Sequence, residues 1–565
     1  MAPVDDRTDK LARGRISRRR FVQAVSGGAL SLAGARARLL AAAAPRRVLS
    51  GTQFDLEVSS VPVNYTGRAR LATAVNGQIP APLLLWRQGD VIRVRVSNRL
   101  PVRTSLHWHG VLVPAAMDGV PGLSFEGIAA GASFTYEFRA AQAGTYWYHS
   151  HSRFQEQTGL YGPIIIAPAA GERHAVARDY TVLLSDWTDE DPEHLYATLK
   201  RDSEYFNFSR RTVGDFVRDA RAHGLRDTLA ERHMWGDARM DPTDLADVSG
   251  YTYTYLMNGL AAAGNWSAEF RRGERVKLRF INGSAMSFFD VRIPGLVMRV
   301  VAADGQDVEP VSVDEFRIGA GEVYDVIVEP AEQPYAIFAQ SMDRSGFACG
   351  TLTPRAGARA ATPALDPHVA LAMNDTGMGD MAAMPREKQP TDAQVGVDMQ
   401  VAAPDARLDD PGVGLRANGR RVLTYADLHT LGGALDTRAP QREIELRLTG
   451  HMQRYMWSFD GRKFSEAPPL EFREGERLRL VLVNDSMMTH PIHLHGMWSE
   501  LESAAGGFQV RKHTVVVRPA QKVSYCVSPM VAGRWAFHCH LLYHMEAGMF
   551  REIAVAPANA LARRL

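Results

Sequence analysis

A tight turn leading into an alternating strand occurs three times in this chain, far apart. Arg87-Gln88-Gly89-Asp90 runs into Val91, Arg93, Val94, Arg95 and Val96 and ends at Asn98. The pattern returns as Arg272-Gly273-Glu274, Val276-Lys277-Leu278-Arg279-Phe280 and Asn282, then as Arg473-Glu474-Gly475-Glu476, Leu478-Arg479-Leu480 and Asn484. Glycine and asparagine stand nine residues apart in each copy, and an Asn-Gly or Asp-Gly pair lies upstream (Asn76-Gly77, Asn258-Gly259, Asp460-Gly461). Such pairs with β-branched alternation predict short antiparallel strands. Three copies at so long a period predict three β-sandwich domains of one kind, an all-β chain and not a solenoid. A length of 565 residues suits about three domains.

The chemistry is concentrated in four short windows, which hold ten of the 18 histidines. They are His107-Trp108-His109-Gly110, His149-Ser150-His151, His490-Pro491-Ile492-His493-Leu494-His495-Gly496, and His538-Cys539-His540 with His544 and Met549 behind it. Alternation by two puts both imidazoles of a His-x-His pair on one strand face. One such pair is ordinarily an exposed or satisfied histidine; four, one of them straddling a cysteine, are not. Cys539, His544 and Met549 are the soft ligand set of a blue-copper centre, which needs one more histidine. His538 and His540 point to the strand face opposite Cys539 and are free for other metals. Gly144-Thr145-Tyr146-Trp147-Tyr148-His149-Ser150-His151 also matches Gly533-Arg534-Trp535-Ala536-Phe537-His538-Cys539-His540 in spacing. The first and third domains thus each offer two His-x-His strands, which predicts a metal cluster at their interface. The middle domain has none and reads as a spacer.

These motifs, with Met117-Asp118-Gly119-Val120-Pro121-Gly122 and Ser152-Arg153-Phe154-Gln155-Glu156-Gln157, resemble the multicopper oxidases, most closely their periplasmic copper-resistance (CopA-type) branch. The resemblance spans about Phe54 to Val555 and implies three cupredoxin-like Greek-key domains and four coppers. It places type 1 copper on His490, Cys539, His544 and Met549, and type 2 copper on His107 and His493. The type 3 pair would take His109, His149 and His540 on one copper and His151, His495 and His538 on the other. The implied reaction is one-electron oxidation of a donor, relayed through Cys539, with four-electron reduction of dioxygen to water. Asp118 is the implied proton relay; its plainer reading is a turn aspartate before Gly119. Some cuprous oxidases carry a glutamate directly after the last type 1 histidine. Here Met545 stands in that place, and Glu546, next along, is the candidate instead.

Residues 1–44 read as a twin-arginine signal, with Ser17-Arg18-Arg19-Arg20-Phe21-Val22 before an apolar run too short for a membrane span. This implies passage through the twin-arginine export machinery to a bacterial periplasm. Removing the nine Lys/Arg and three Asp/Glu of that segment leaves 56 basic and 60 acidic groups, a net charge near −4 that argues against nucleic-acid binding. Cys349 and Cys526 are either a disulfide in an oxidising compartment or two separate buried thiols. The expected domains cover residues 50–170, 175–355 with a helical insertion near 192–242, and 441–558, and the chain is expected to act as a monomer. A methionine-containing connection fills 356–440.

The donor is read from methionines. Met487, Met488 and Met545 flank the type 1 ligands, and Met373, Met378, Met381 and Met384 lie in a Gly/Asp-rich stretch. Thioether sulfur selects Cu(I), although flexible methionines also fill cores. His451, Met452, Met456 and Glu466 are further candidates. The expectation is a periplasmic oxidase of Cu(I) in copper resistance. The alternatives are a laccase-like oxidase of phenols or aromatic amines, and a copper-sequestering protein.

Overall fold

The computed structural model describes residues 47–376 and 396–558. Six sheets form three sandwiches in chain order. In the first, the strands Arg70–Val75, Gln53–Val63, Val91–Asn98 and Ser133–Arg139 make one sheet. The facing sheet ends in β1 (His107–His109) and β2 (Gly144–His149). The second sandwich joins a seven-stranded to a five-stranded sheet, and its helical insertion carries α1 (Pro192–Arg201), α2 (Val213–His223) and α3 (Leu225–Asp237). The third contains β3 (His490–Leu494) and β4 (Gly533–Cys539) in its five-stranded sheet, followed by α4 (Leu542–Glu546).

The repeated motif has one structural meaning in all three copies. Both residues of each upstream pair take positive φ (Asn76 and Gly77, Asn258 and Gly259, Asp460 and Gly461), the left-handed geometry such hairpin turns demand. In the first copy the strand that follows alternates, with Ile92, Val94 and Val96 buried and Arg93 and Arg95 exposed, whereas the strands of the second and third copies are buried almost throughout. The terminal asparagine of each is wholly buried and bonds the main chain across the sandwich. Asn98 Nδ2 donates to the Val102 and Ile128 carbonyls, Asn282 to Ser287 and Ile318, and Asn484 to Met488 and Val517. The repeat therefore encodes a strand and the clamp that anchors its end.

One expectation needs correction. Each repeat strand pairs antiparallel on one side only. On the other side Val91–Asn98 runs parallel to Gln53–Val63, Val276–Asn282 to Arg178–Thr188, and Leu478–Asn484 to Arg442–His451. The parallel neighbour in each sandwich is joined to the repeat strand through a long crossover, which local turn signals do not report.

The insertion is helical for local reasons. Asp191 caps α1 with Pro192 at its first position, and Thr212 and Asp215 form a reciprocal capping box at α2. The described part of the connection carries short 3-10 turns at Met373–Thr376 and Tyr425–Asp427 and isolated bridges at Asp405, Val422 and Thr430. The first sandwich has its own aromatic core around Trp86, Trp108, Tyr136 and Phe138, while the cores of the second and third are continuous. No helix among the described residues is long and apolar enough to cross a membrane. The expected signal at 1–44 and Met378, Met381 and Met384 lie outside the described residues.

Candidate metal centres

Two histidine-bearing strand pairs meet between the first and third sandwiches. β1 and β2 pair antiparallel with His107 opposite His149, and β3 and β4 pair with His493 opposite His538 and Ile492 opposite Cys539. This register puts the cysteine and its flanking histidines on opposite faces of one sheet.

On one face lies a compact three-residue centre. Cys539 Sγ is 3.5 Å from His490 Nδ1 and 3.8 Å from His544 Nδ1, and the two Nδ1 atoms are 3.1 Å apart. Met549 is wholly buried beside them, its carbonyl accepting the Cys539 N–H at 3.1 Å. The outer nitrogens are fixed from behind, His490 Nε2 by Ser486 Oγ at 2.6 Å and His544 Nε2 by Asp247 Oδ2 at 2.7 Å. Trp457 stacks on His544 with centroids 4.0 Å apart. Burial pushes the Cys539 thiol up and the His490 imidazole down. Without a cation, the thiolate that a soft metal requires is disfavoured here.

On the other face eight imidazoles converge. Donor atoms of His107, His109 and His149 lie within 4.8 Å of one another, as do those of His107, His493 and His495 and of His151, His495 and His538. His540 completes the wall, with ring centroids 4.8 Å from His109 and 5.1 Å from His149. Carbonyl and carboxylate oxygens decide the tautomers, because an oxygen without a proton can only accept. His107 Nδ1 donates to the Asp118 carbonyl at 2.8 Å, His493 Nδ1 to the His513 carbonyl at 2.7 Å, and His538 Nδ1 to the Cys539 carbonyl at 2.9 Å. His495 Nδ1 donates to Asp118 Oδ2 at 2.9 Å. Each then turns an unprotonated Nε2 inward.

The inward nitrogens test whether a metal fits. Nε2 of His107, His149, His151 and His493, Nδ1 of His109 and both nitrogens of His540 are buried without any hydrogen-bond partner. Buried polar atoms are rarely left so, and a cluster of bare imidazole lone pairs is a donor set for copper. Burial first, and then the neighbouring imidazoles, hold His109, His149, His151, His493, His495 and His540 well below the usual histidine range. Neutral imidazole is the form that binds metal. The residues fit.

The sandwich without metal motifs also reaches the cluster, so it is more than the expected spacer. Gly321 takes φ 87°, and a Cβ there would come within 3.0 Å of His540 Cδ2 and 3.1 Å of His109 Cε1. Asp304 accepts from the backbone N–H of His513 and of Thr514, and Lys512 lies wholly buried 3.1 Å from Asp304 and 3.0 Å from Glu322. His513 Nδ1 and Thr514 Oγ1 each lie 3.1 Å from His109 Nε2.

The acids divide sharply. Asp118 closes the 3-10 turn Ala115–Met117, and its side chain faces both His495 Nδ1 and, at 3.3 Å, His107 Nδ1, so it is more than a turn aspartate. Glu546 does not reach the histidines. It pairs with Arg153 at the protein's edge, 21% exposed, because the turn of α4 carries it outward. Sequence reasoning passed over Glu156, Asp247 and His513. Glu156 had a signal, since it lies five residues past His151. Asp247 follows a long insertion and His513 is a lone histidine, so neither had one.

The methionines behave mostly as core. Met487 and Met488 are buried, and Met373, Met399 and Met545 pack half-buried against the same core. The Gly/Asp-rich stretch does have a core to fill at Met373. His451 is held by Arg239 and Asp398, and Met452 is buried. Cys349 and Cys526 are free buried thiols on strands of different sandwiches.

Multicopper oxidase family models match residues 57–171, 178–356 and 437–559. The chain is 53% identical over 546 residues to a copper resistance protein A homolog of Pseudomonas syringae pv. tomato, covering 90% of this chain and 93% of that protein. It is 51% identical to copper resistance protein A of Escherichia coli, covering 96% and 99%. The chain belongs to the multicopper oxidase family, in its CopA-type branch. It is an oxidoreductase that binds copper and uses dioxygen and a reducing substrate. Among solved multicopper oxidases, Fet3p superimposes with a TM-score of 0.64 at 18% identity, covering 90% of each chain. The laccase of Botrytis aclada gives 0.63 at 21%, covering 90% and 88%, so these two likenesses speak for the fold alone.

Proposed function

We propose that this multicopper oxidase oxidises Cu(I) and reduces dioxygen to water in the bacterial periplasm, as part of copper resistance. In this reading it is exported by the twin-arginine route and acts as a monomer. His490, Cys539, His544 and Met549 would hold one copper. His107 and His493 would hold a second. His109, His149 and His540, with His151, His495 and His538, would hold the remaining two. Bound copper supplies one-electron redox chemistry at the first centre and oxygen binding at the second.

The chain's own residues set the terms. Cys539 is bonded in sequence to His538 and His540, so two peptide units link the centres. Ser486 and Asp247 fix the outer nitrogens of His490 and His544 and leave both Nδ1 atoms facing the sulfur. Asp118 touches one imidazole of the first sandwich and one of the third, and its carboxylate stands where it could pass protons inward.

The surroundings of His544 carry the choice of donor. Its ring is wholly buried beneath Trp457, Tyr455 and the segment bearing Asp247, which leaves no edge for an aromatic donor to stack on. Asp247 touches it directly, and Asp247 Oδ1 and Asp244 Oδ2 are buried carboxylate oxygens without partners. Unpartnered carboxyl oxygens behind a buried imidazole suit a small cation. Oxygen consumption with Cu(I), compared with a dimethoxyphenol with and without added Cu(II), tests this. Faster turnover with Cu(I) supports it. Fast phenol turnover without added copper would favour a laccase, and copper binding without oxygen uptake a sequestering protein.

A further inference from the structure

Glu156 is 3% exposed, in the loop that follows β2. Its Oε2 lies 2.6 Å from His149 Nδ1, which also faces the Ser150 carbonyl oxygen at 3.1 Å. Its Oε1 is buried without a hydrogen-bond partner. Among the described residues no cation pairs with it: its one basic neighbour is the neutral His149, and the neighbouring charge, Asp186, is of the same sign. A buried carboxylate is costly unless it is paired, so an acid kept here points to use.

Asp118 offers the comparison. It stands in the loop after β1, the other His-x-His strand of the first sandwich; its Oδ2 accepts from His495 Nδ1, its carbonyl from His107 Nδ1, and its Oδ1 lies 3.3 Å from that same His107 nitrogen. The two acids sit in equivalent loops of one sandwich, each behind a histidine of the strand that precedes it. The acid that touches His544 is Asp247, from the second sandwich.

We propose that Glu156 is a positioning residue of the oxygen-reducing cluster, accepting the Nδ1–H of His149 and so turning its bare Nε2 toward the other imidazoles. The proposal rests on reading these histidines as copper ligands. Carboxylates behind metal-bound imidazoles fix tautomer and ring orientation and raise ligand basicity. The Ser150 carbonyl alone gives the ring a single weak acceptor from its own chain neighbour.

The test compares Glu156→Ala with Glu156→Gln, whose amide oxygen still accepts a hydrogen bond. Copper content after dialysis against a graded chelator is read beside the visible band of the Cys539 centre and the near-ultraviolet absorption of the coupled pair. Glu156→Ala should retain copper at the histidine cluster about 10–100-fold more weakly, with the near-ultraviolet feature lost and the visible band unchanged. Glu156→Gln should recover most of that loss. Copper retention like the parent's in Glu156→Ala overturns the proposal, as does a Glu156→Gln protein that loses as much as Glu156→Ala. If Glu156→Ala does not fold, Glu156→Gln decides: copper retention near the parent's supports the proposal, and loss overturns it. Failure of the proposed function would show separately, as absent oxygen consumption in the copper-loaded parent.

Discussion

At the scale of single residues, the legible part was chemical and the hidden part was orientation. The His-x-His windows and Cys539 name donor atoms, because few side chains other than imidazole and thiolate bind copper. They do not say which nitrogen faces the metal. For His493 and His495 that is decided by groups far away in sequence, the His513 carbonyl and Asp118, and for His538 by the carbonyl of its neighbour Cys539. Two substitutions separate the levels. Cys539→Ser should abolish the visible thiolate-to-copper band and donor oxidation together, while the histidine cluster still binds copper; absorption and metal analysis read both. Asp118→Ala removes the acceptor behind His495 and should weaken copper binding or oxygen reduction about 10–100-fold. Chelator competition checks it, with Asp118→Asn expected between Ala and the parent.

At the scale of elements, strand alternation and turn pairs were legible because both are local. The parallel neighbour of each repeat strand was not, since its crossover leaves no short-range mark. Glu546 failed for a related reason: its place in α4 turns it outward to Arg153, and sequence adjacency to His544 says nothing of that. The contribution of the second sandwich was also hidden, because it consists of contacts and not ligands. Lys512, Asp304 and Glu322 are all buried, and they pin the strand that carries the His513 carbonyl and Thr514. Lys512→Met would leave two buried acids with no cation between them. Breaking a buried pair in this way costs about 3–5 kcal/mol. Denaturant unfolding of the copper-free variant should show a loss of that order, and copper affinity of the histidine cluster should fall with it.

At the scale of the whole molecule, copper would act as a cross-link. His107, His109, His149 and His151 come from the first sandwich and His493, His495, His538 and His540 from the third, so a metal bound between them ties distant parts of one chain together. Binding to the folded state alone stabilises by about 4 kcal/mol when free ligand exceeds Kd about 1,000-fold. The melting temperature should therefore rise on copper loading and fall again with a chelator. Acid opposes the same link, because protons and copper compete for one nitrogen. Burial holds His538 down at about 4, and burial with the neighbouring imidazoles holds His109, His149, His151, His493, His495 and His540 well below the usual histidine range. Protonation then begins to compete only as pH falls toward about 4, well below the usual histidine value of about 6.5. Copper measured after dialysis should stay bound from pH 7 to about pH 5.5 and be released near pH 4, with the loading-dependent rise in melting temperature disappearing over the same interval. Release beginning near pH 6.5 would mean that the imidazoles are solvated, and that the sandwiches do not close around the cluster as the hydrogen bonds behind it require.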